Sequence, residues 1–132
     1  MSFPTITAAY AALLAILFVA LSVWVVAGRL QTDVLQGDGG NDTLTRRMRS
    51  QGNFAEYIPF ALLLIGLLEV DGASSVLIQV LCLVLLVSRL IHPVGMLAAK
   101  NTPQQYICRG GGILATFGVI LVAALVLLVR VA

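Results

Sequence analysis

From Ala8 to Gly28 the chain carries no charged residue. At ~1.5 Å per residue, a helix of that length reaches across a hydrocarbon core of ~30 Å. Three more apolar stretches follow: Phe54–Leu68, Ser75–Val87, and the run between Arg109 and Arg130. In lipid a backbone must satisfy its own hydrogen bonds, so each run is expected to be a helix. The expected fold is therefore an all-α membrane protein, a four-transmembrane-helix bundle. The expected spans are residues 4–29, 42–69, 74–99 and 103–130, in one domain covering 1–132. Only 11% of the residues are charged, against ~25% in a soluble domain. Four spans account for most of these 132 residues, so no separate soluble domain is expected among them. Met1-Ser2-Phe3-Pro4 lacks a basic n-region, so the first run is expected to be a retained span and not a cleaved signal.

The net charge of +2 says less than its distribution. Arg29, Arg46, Arg47, Arg49, Arg89, Lys100 and Arg109 lie around the 1–2 and 3–4 connections or at the span ends that lead to them. The 2–3 connection holds Glu69 and Asp71 and no basic residue. The positive-inside rule then puts the 1–2 and 3–4 connections in the cytoplasm. The N- and C-termini fall on the same, non-cytoplasmic side. Arg130 is expected to be an interfacial anchor at the end of the last span.

Several chemistries are disfavoured. His92 is the only histidine, and Cys82 and Cys108 have no ligand-like spacing to it, so no metal is expected. The two cysteines read as small apolar thiols. No serine is singled out for a Ser-His-Asp apparatus. The basic residues are too few and too buried for a nucleic-acid face. Gly37-Asp38-Gly39-Gly40 is a turn cluster without the Lys-Ser/Thr of a phosphate loop. Asn41 or Asp42 is a suitable N-cap for the second helix. Gly110-Gly111-Gly112 is expected to let another helix come close.

The stretch Arg46–Pro59 is where polar residues enter an apolar helix. Arg49, Asn53 and Glu56 fall at i, i+4 and i+7, on one face, with Tyr57 beside them. Such groups are costly in a membrane unless they are paired or meet a ligand. Pro59 is expected to remove one helical hydrogen bond and bend the helix. Arg89 and His92, at i and i+3 in the third span, lie at about the depth of Glu56. An Arg89–Glu56 ion pair is one reading of that; a shared ligand site is the other. Arg29, at the end of the first span, is either a snorkelling anchor or a ligand cation.

Arg29, Arg46, Arg47, Arg49, Arg89 and Arg109 thus give every helix a cation at one end of the bundle, with Glu56 as the carboxylate at that depth. An anionic ligand would balance the excess, since arginine forks suit planar carboxylates. The implied ligand is a small zwitterion with more than one carboxylate. Glutathione fits, and a nearby arginine would favour its thiolate. A transporter is disfavoured, because the polar groups gather at one end and not at the midplane.

Arg49-x-x-x-Asn53-x-x-Glu56-Tyr57-x-Pro59 resembles the signature of the MAPEG family, the membrane-associated proteins in eicosanoid and glutathione metabolism. The length, the four spans, the Gly-Asp-Gly turn and Arg89-x-x-His92 agree with it, so the resemblance covers nearly the whole chain. It implies a homotrimer that binds glutathione between subunits near the cytoplasmic side. It also implies a glutathione-dependent transferase that conjugates a lipophilic electrophile or reduces a lipid hydroperoxide, a detoxification role. By position, Arg49, Asn53 and Glu56 would contact glutathione, with Tyr57 as an addition. Arg29, Arg89 and His92 resemble further site-lining positions, and Arg109 is the candidate catalytic residue for steadying the thiolate. There are two departures. Met96 stands where several members have a tyrosine, and Arg109 lies deeper than the family's thiol-activating arginine. The compact chain resembles a bacterial-type member, expected in the inner membrane, whose substrates need not be eicosanoids. The alternative is a non-catalytic protein of the same fold that binds another acidic ligand or a lipid headgroup.

Overall fold

The computed structural model describes residues 3–132; Met1 and Ser2 of the N-terminal tetrapeptide lie outside the described residues. Four helices follow one another: α1 (Thr5–Thr32), α2 (Asp42–Val70), α3 (Ser75–Leu97) and α4 (Gly112–Val131). A π-helical segment, Gln105–Gly111, leads directly into α4. All four are long and apolar enough to cross a membrane, α4 together with its π segment.

Local chemistry sets most of the ends. Asn41 is the N-cap of α2, its side chain accepting from the Leu44 amide at 2.9 Å. Ser74 does the same for α3 through the Leu77 amide. Gly72, at φ +78°, closes α2, its amide bonding Glu69 O while the Ala73 amide bonds Leu68 O. Pro59 lies inside α2 without ending it, as proline is tolerated within membrane helices.

The helices run alternately up and down. At one end, Glu69 of α2 reaches the first turn of α1, and Arg130 of α4 reaches Asp71. At the other end, Arg47 reaches Trp24, and Arg46 reaches the carbonyls of Met96 and Ala98. The start of α1 and the end of α4 therefore lie at the end that carries the α2–α3 turn. Arg130, at the end of the last span, is paired: its Nε is 2.5 Å from Asp71 Oδ2 and its Nη2 donates to Asp71 O. The short α2–α3 turn sets Asp71 beside the last turn of α4.

Leu14, Ile58, Ala61, Ile65, Leu85 and Val119 belong to the apolar core along the bundle axis. In lipid such burial brings little hydrophobic gain, because acyl chains are as apolar as leucine. Packing and interhelical hydrogen bonds must hold the helices together, at about 0.6–2 kcal/mol per polar contact. That gives weight to the few polar ties between helices.

The three consecutive glycines are not where the helices come closest. A Cβ on Gly110 or Gly111 would meet open space, and only Gly112 faces α3, with Ser88 O 3.0 Å from its Cβ position. Among the glycines the tightest approach is at Gly95 of α3. A Cβ there would fall 2.1 Å from the Arg109 amide nitrogen.

Candidate functional site

Among the polar clusters at the basic end of the bundle, two hold most of the candidate residues. One is open and one is closed.

The open one is a cleft of about 210 Å³ between the first turns of α2 and the α3–α4 connection. Asp42, Thr45, Arg46, Arg49, Met96, Lys100, Gln105 and Arg109 line it. Four of these are cations and one is a carboxylate. Asp42 is already committed to Arg46, whose Nε is 2.9 Å away. Arg46 is itself spent on structure, since its Nη1 caps α3 through the carbonyls of Met96 and Ala98, both at 3.1 Å. Arg49 and Arg109 are exposed and have no hydrogen-bond or ion-pair partner among the described residues, as has Lys100. The cleft thus presents unspent positive charge from three separate segments.

The closed cluster centres on Arg89, which is 1% exposed. Its Nη1 donates to Asn53 Oδ1 at 2.7 Å, its Nη2 to Gly112 O at 2.8 Å, and its Nε to Ser88 Oγ at 3.3 Å. Ser88 Oγ also meets Thr116 Oγ1 at 3.1 Å. One guanidinium therefore ties α2, α3 and α4 together. The Arg89–Glu56 ion pair does not form. At ~100° per residue, Glu56 lies ~60° around α2 from Asn53, and that rotation carries it to the exposed surface. An amide satisfies Arg89 where a carboxylate was expected.

The candidates named from sequence therefore separate. Arg49 and Arg109 share the open cleft. Asn53 and Arg89 bond each other in the closed cluster, and buried His92 packs against Gly112 beside them. Tyr57 is half-buried, its ring edge-on to Phe117 at 5.3 Å. Glu56 is exposed on α2. Arg29 is in neither cluster: its Nη1 gathers the carbonyls of Val34, Leu35 and Gly37 in the α1–α2 connection. Lys100, Gln105 and Met96 enter the cleft without having been singled out for binding. Antiparallel packing of the two connections was the available signal, since it sets residues 100–105 opposite the start of α2. Among the described residues no group of His, Cys, Asp and Glu side chains is arranged to hold a metal.

A model of the MAPEG family matches residues 7–129, almost the full length of the four helices. The chain belongs to the MAPEG family. This MAPEG protein is also similar to the inner membrane protein YecN of Escherichia coli K12, with 40% identity over 90 residues, 68% of this chain and 69% of YecN. YecN of E. coli O6:H1 matches to the same extent. No solved structure matches.

Proposed function

We propose that this MAPEG protein is a glutathione-dependent membrane transferase. The observation that carries the reading is the cleft in which Arg49 and Arg109 converge from α2 and the π segment, with Lys100 beside them. A tripeptide with two carboxylates is matched in charge by such a cleft. Arg109 is the cation assigned to the sulfur, where positive charge favours thiolate over thiol. An apolar electrophile arrives through the bilayer. The sulfur forms a bond to its carbon as the leaving group departs with the bonding pair, and the thiol proton is released to water. Reduction of a lipid hydroperoxide is the other reaction open to the same thiolate.

Glu56 supports a homotrimer within this reading. A carboxylate on the exposed side of a membrane helix is costly. A neighbouring copy would cover it and complete the cleft, and Glu56 could then meet the ammonium group of glutathione. The basic connections favour a cytoplasmic position for this end, with both termini on the opposite side. The similarity to YecN favours the bacterial inner membrane.

Titration calorimetry with glutathione in detergent tests the proposal, followed by turnover with a chlorodinitrobenzene-type acceptor. Binding that Arg49→Ala weakens, together with turnover that Arg109→Ala reduces, is the expected result. Absence of binding overturns the proposal. One observation favours a non-catalytic acidic-ligand or headgroup binder: Met96 lines the cleft where several family members supply a tyrosine. Glutathione binding without turnover on a broad panel of electrophiles would select that reading.

A further inference from the structure

The segment Gln105–Gly111 is wound as a π-helix, whereas Gly112–Val131 is α-helical. A π turn takes in one residue more than an α turn. At 3.6 residues per α turn, one residue corresponds to about 100° of rotation. Side chains at and before the turn are therefore aimed differently from those an unbroken α-helix would present. Arg109 and Gln105 both lie in this segment, and both line the cleft.

π winding is rare and is found mostly as single turns, so something must hold it here. Gly110 and Gly111 do not, because nothing lies within 4 Å of where their Cβ atoms would be. The contacts that fix the segment come from α3. Gly95 brings the α3 backbone against the Arg109 amide. Arg89 grips the carbonyl of Gly112, the residue at which π winding gives way to α. The other arm of the same guanidinium is anchored on Asn53 of α2, the helix that carries Arg49. Both walls of the cleft are thus referred to one planar, rigid fork.

We propose that Arg89 is a positioning residue: by bridging Asn53 Oδ1 and Gly112 O it fixes the π register that turns Arg109 into the cleft. The bridge needs a fork. A lysine ammonium keeps the charge but is a single point on a flexible stem, and it does not present two parallel arms to two helices. The importance of the register for ligand binding rests on the anion site proposed above. The register itself does not.

The test is a distance measurement on the full chain in detergent. Cys82 and Cys108 are replaced by alanine, and nitroxide labels are attached through Arg49→Cys and Arg109→Cys. With labelled subunits diluted by an excess of unlabelled ones, so that distances within one subunit dominate, the parent is expected to give one narrow distance. Deleting Gly110 removes the extra residue and marks the distance of the α register. Arg89→Lys and Asn53→Ala, each with helicity and trimer or monomer size unchanged, are expected to shift the major population towards that second distance. Asn53→Asp keeps an acceptor for Arg89 and is expected to restore the parent distance. Parent-like distances in both Arg89→Lys and Asn53→Ala would overturn the proposal. So would an Asn53→Asp variant that shifts as far as Asn53→Ala. Glutathione titration of the unlabelled wild-type protein is a separate readout: its failure removes the anion site and leaves the register result standing.

Discussion

The carboxylate of Glu69 accepts from the Thr7 hydroxyl at 2.6 Å and from the Thr7 amide at 2.8 Å, while its second oxygen accepts from the Ile6 amide at 2.9 Å. Helix α1 opens at Pro4 without a side-chain cap of its own. The last turn of α2 supplies one instead, from more than sixty residues away. It satisfies amides that would otherwise be unpaired at a helix start, and it places a negative charge at the positive end of the α1 dipole.

Glu69→Ala should therefore destabilise the bundle more than loss of an ordinary surface carboxylate. Removing a cap costs about 0.5–2 kcal/mol, and hydrogen bonds to a charged group lie at about 1.5–3 kcal/mol. A loss of about 2 kcal/mol is the expected outcome in thermal or denaturant unfolding in detergent. Glu69→Gln keeps one acceptor oxygen and should lose less. An Ala variant as stable as wild type would mean that α1 is held by packing alone.

Gly95 gives a sharper contrast. A methyl group there would meet backbone atoms of Cys108 and Arg109, which cannot rotate away as a side-chain end can. Overpacking of this kind costs about 1–3 kcal/mol and occasionally more. At Gly111 the same change meets open space, and alanine is the better helix former by about 1 kcal/mol. Melting temperatures should fall for Gly95→Ala and hold or rise for Gly111→Ala. Equal effects at the two sites would contradict the close approach of α3 to the π segment.

The turn before α2 should loosen in acid. The amide of Gly40 and the hydroxyl of Thr45 donate to the Asp38 carboxylate and hold its pKa below the usual value. A carboxyl whose pKa is lower in the folded state contributes stability above the unfolded value of ~3.9. That contribution is lost as pH falls through the lowered folded value. Faster exchange of the Gly40 amide below that point, relative to other loop amides, is the expected signature. Asp38→Asn should remove the pH dependence.

Much of this architecture was legible because lipid constrains a chain so strongly. An uncharged run such as Ala8–Gly28 can satisfy its backbone only as a helix. A cap at Asn41 or Asp42 could be read because both are capping residues just after the glycine turn, and Asn41 takes the role. The partners of the polar residues were not legible in the same way. Arg89 was matched to Glu56 by depth, since helical spacing fixes height along the axis well. Rotation about the axis decides contact, and Asn53 occupies the inward angle that Glu56 lacks. The π segment left no trace in composition: Gln105–Gly111 reads as an ordinary helix start with flexible glycines. Gly95 looked like any helix glycine, because its constraint comes from the backbone of a segment thirteen residues later. Arg29 was offered as a ligand cation chiefly by resemblance and as an anchor otherwise; its backbone partners, three loop carbonyls at its Nη1, could not be read from either.

That last contrast gives the most discriminating functional prediction. Arg49 and Arg109 face the cleft with their charge unspent, while Arg29 is committed to the α1–α2 connection. Loss of a charge-assisted hydrogen bond costs about 1.5–3 kcal/mol, which corresponds to roughly a tenfold to hundredfold weaker affinity. Arg49→Ala should weaken glutathione binding by about that much, Arg109→Ala should mainly reduce turnover, and both should lessen the dependence of binding on ionic strength, since each removes a charge that salt screens. Arg29→Ala should leave the affinity within about threefold, a change of ~0.6 kcal/mol, and should instead speed amide exchange in residues 34–37. Calorimetry at two salt concentrations, with exchange measured on the same preparations, separates the two classes. An Arg29 variant that loses binding as far as the Arg49 variant would move the ligand out of the cleft and towards the α1–α2 connection.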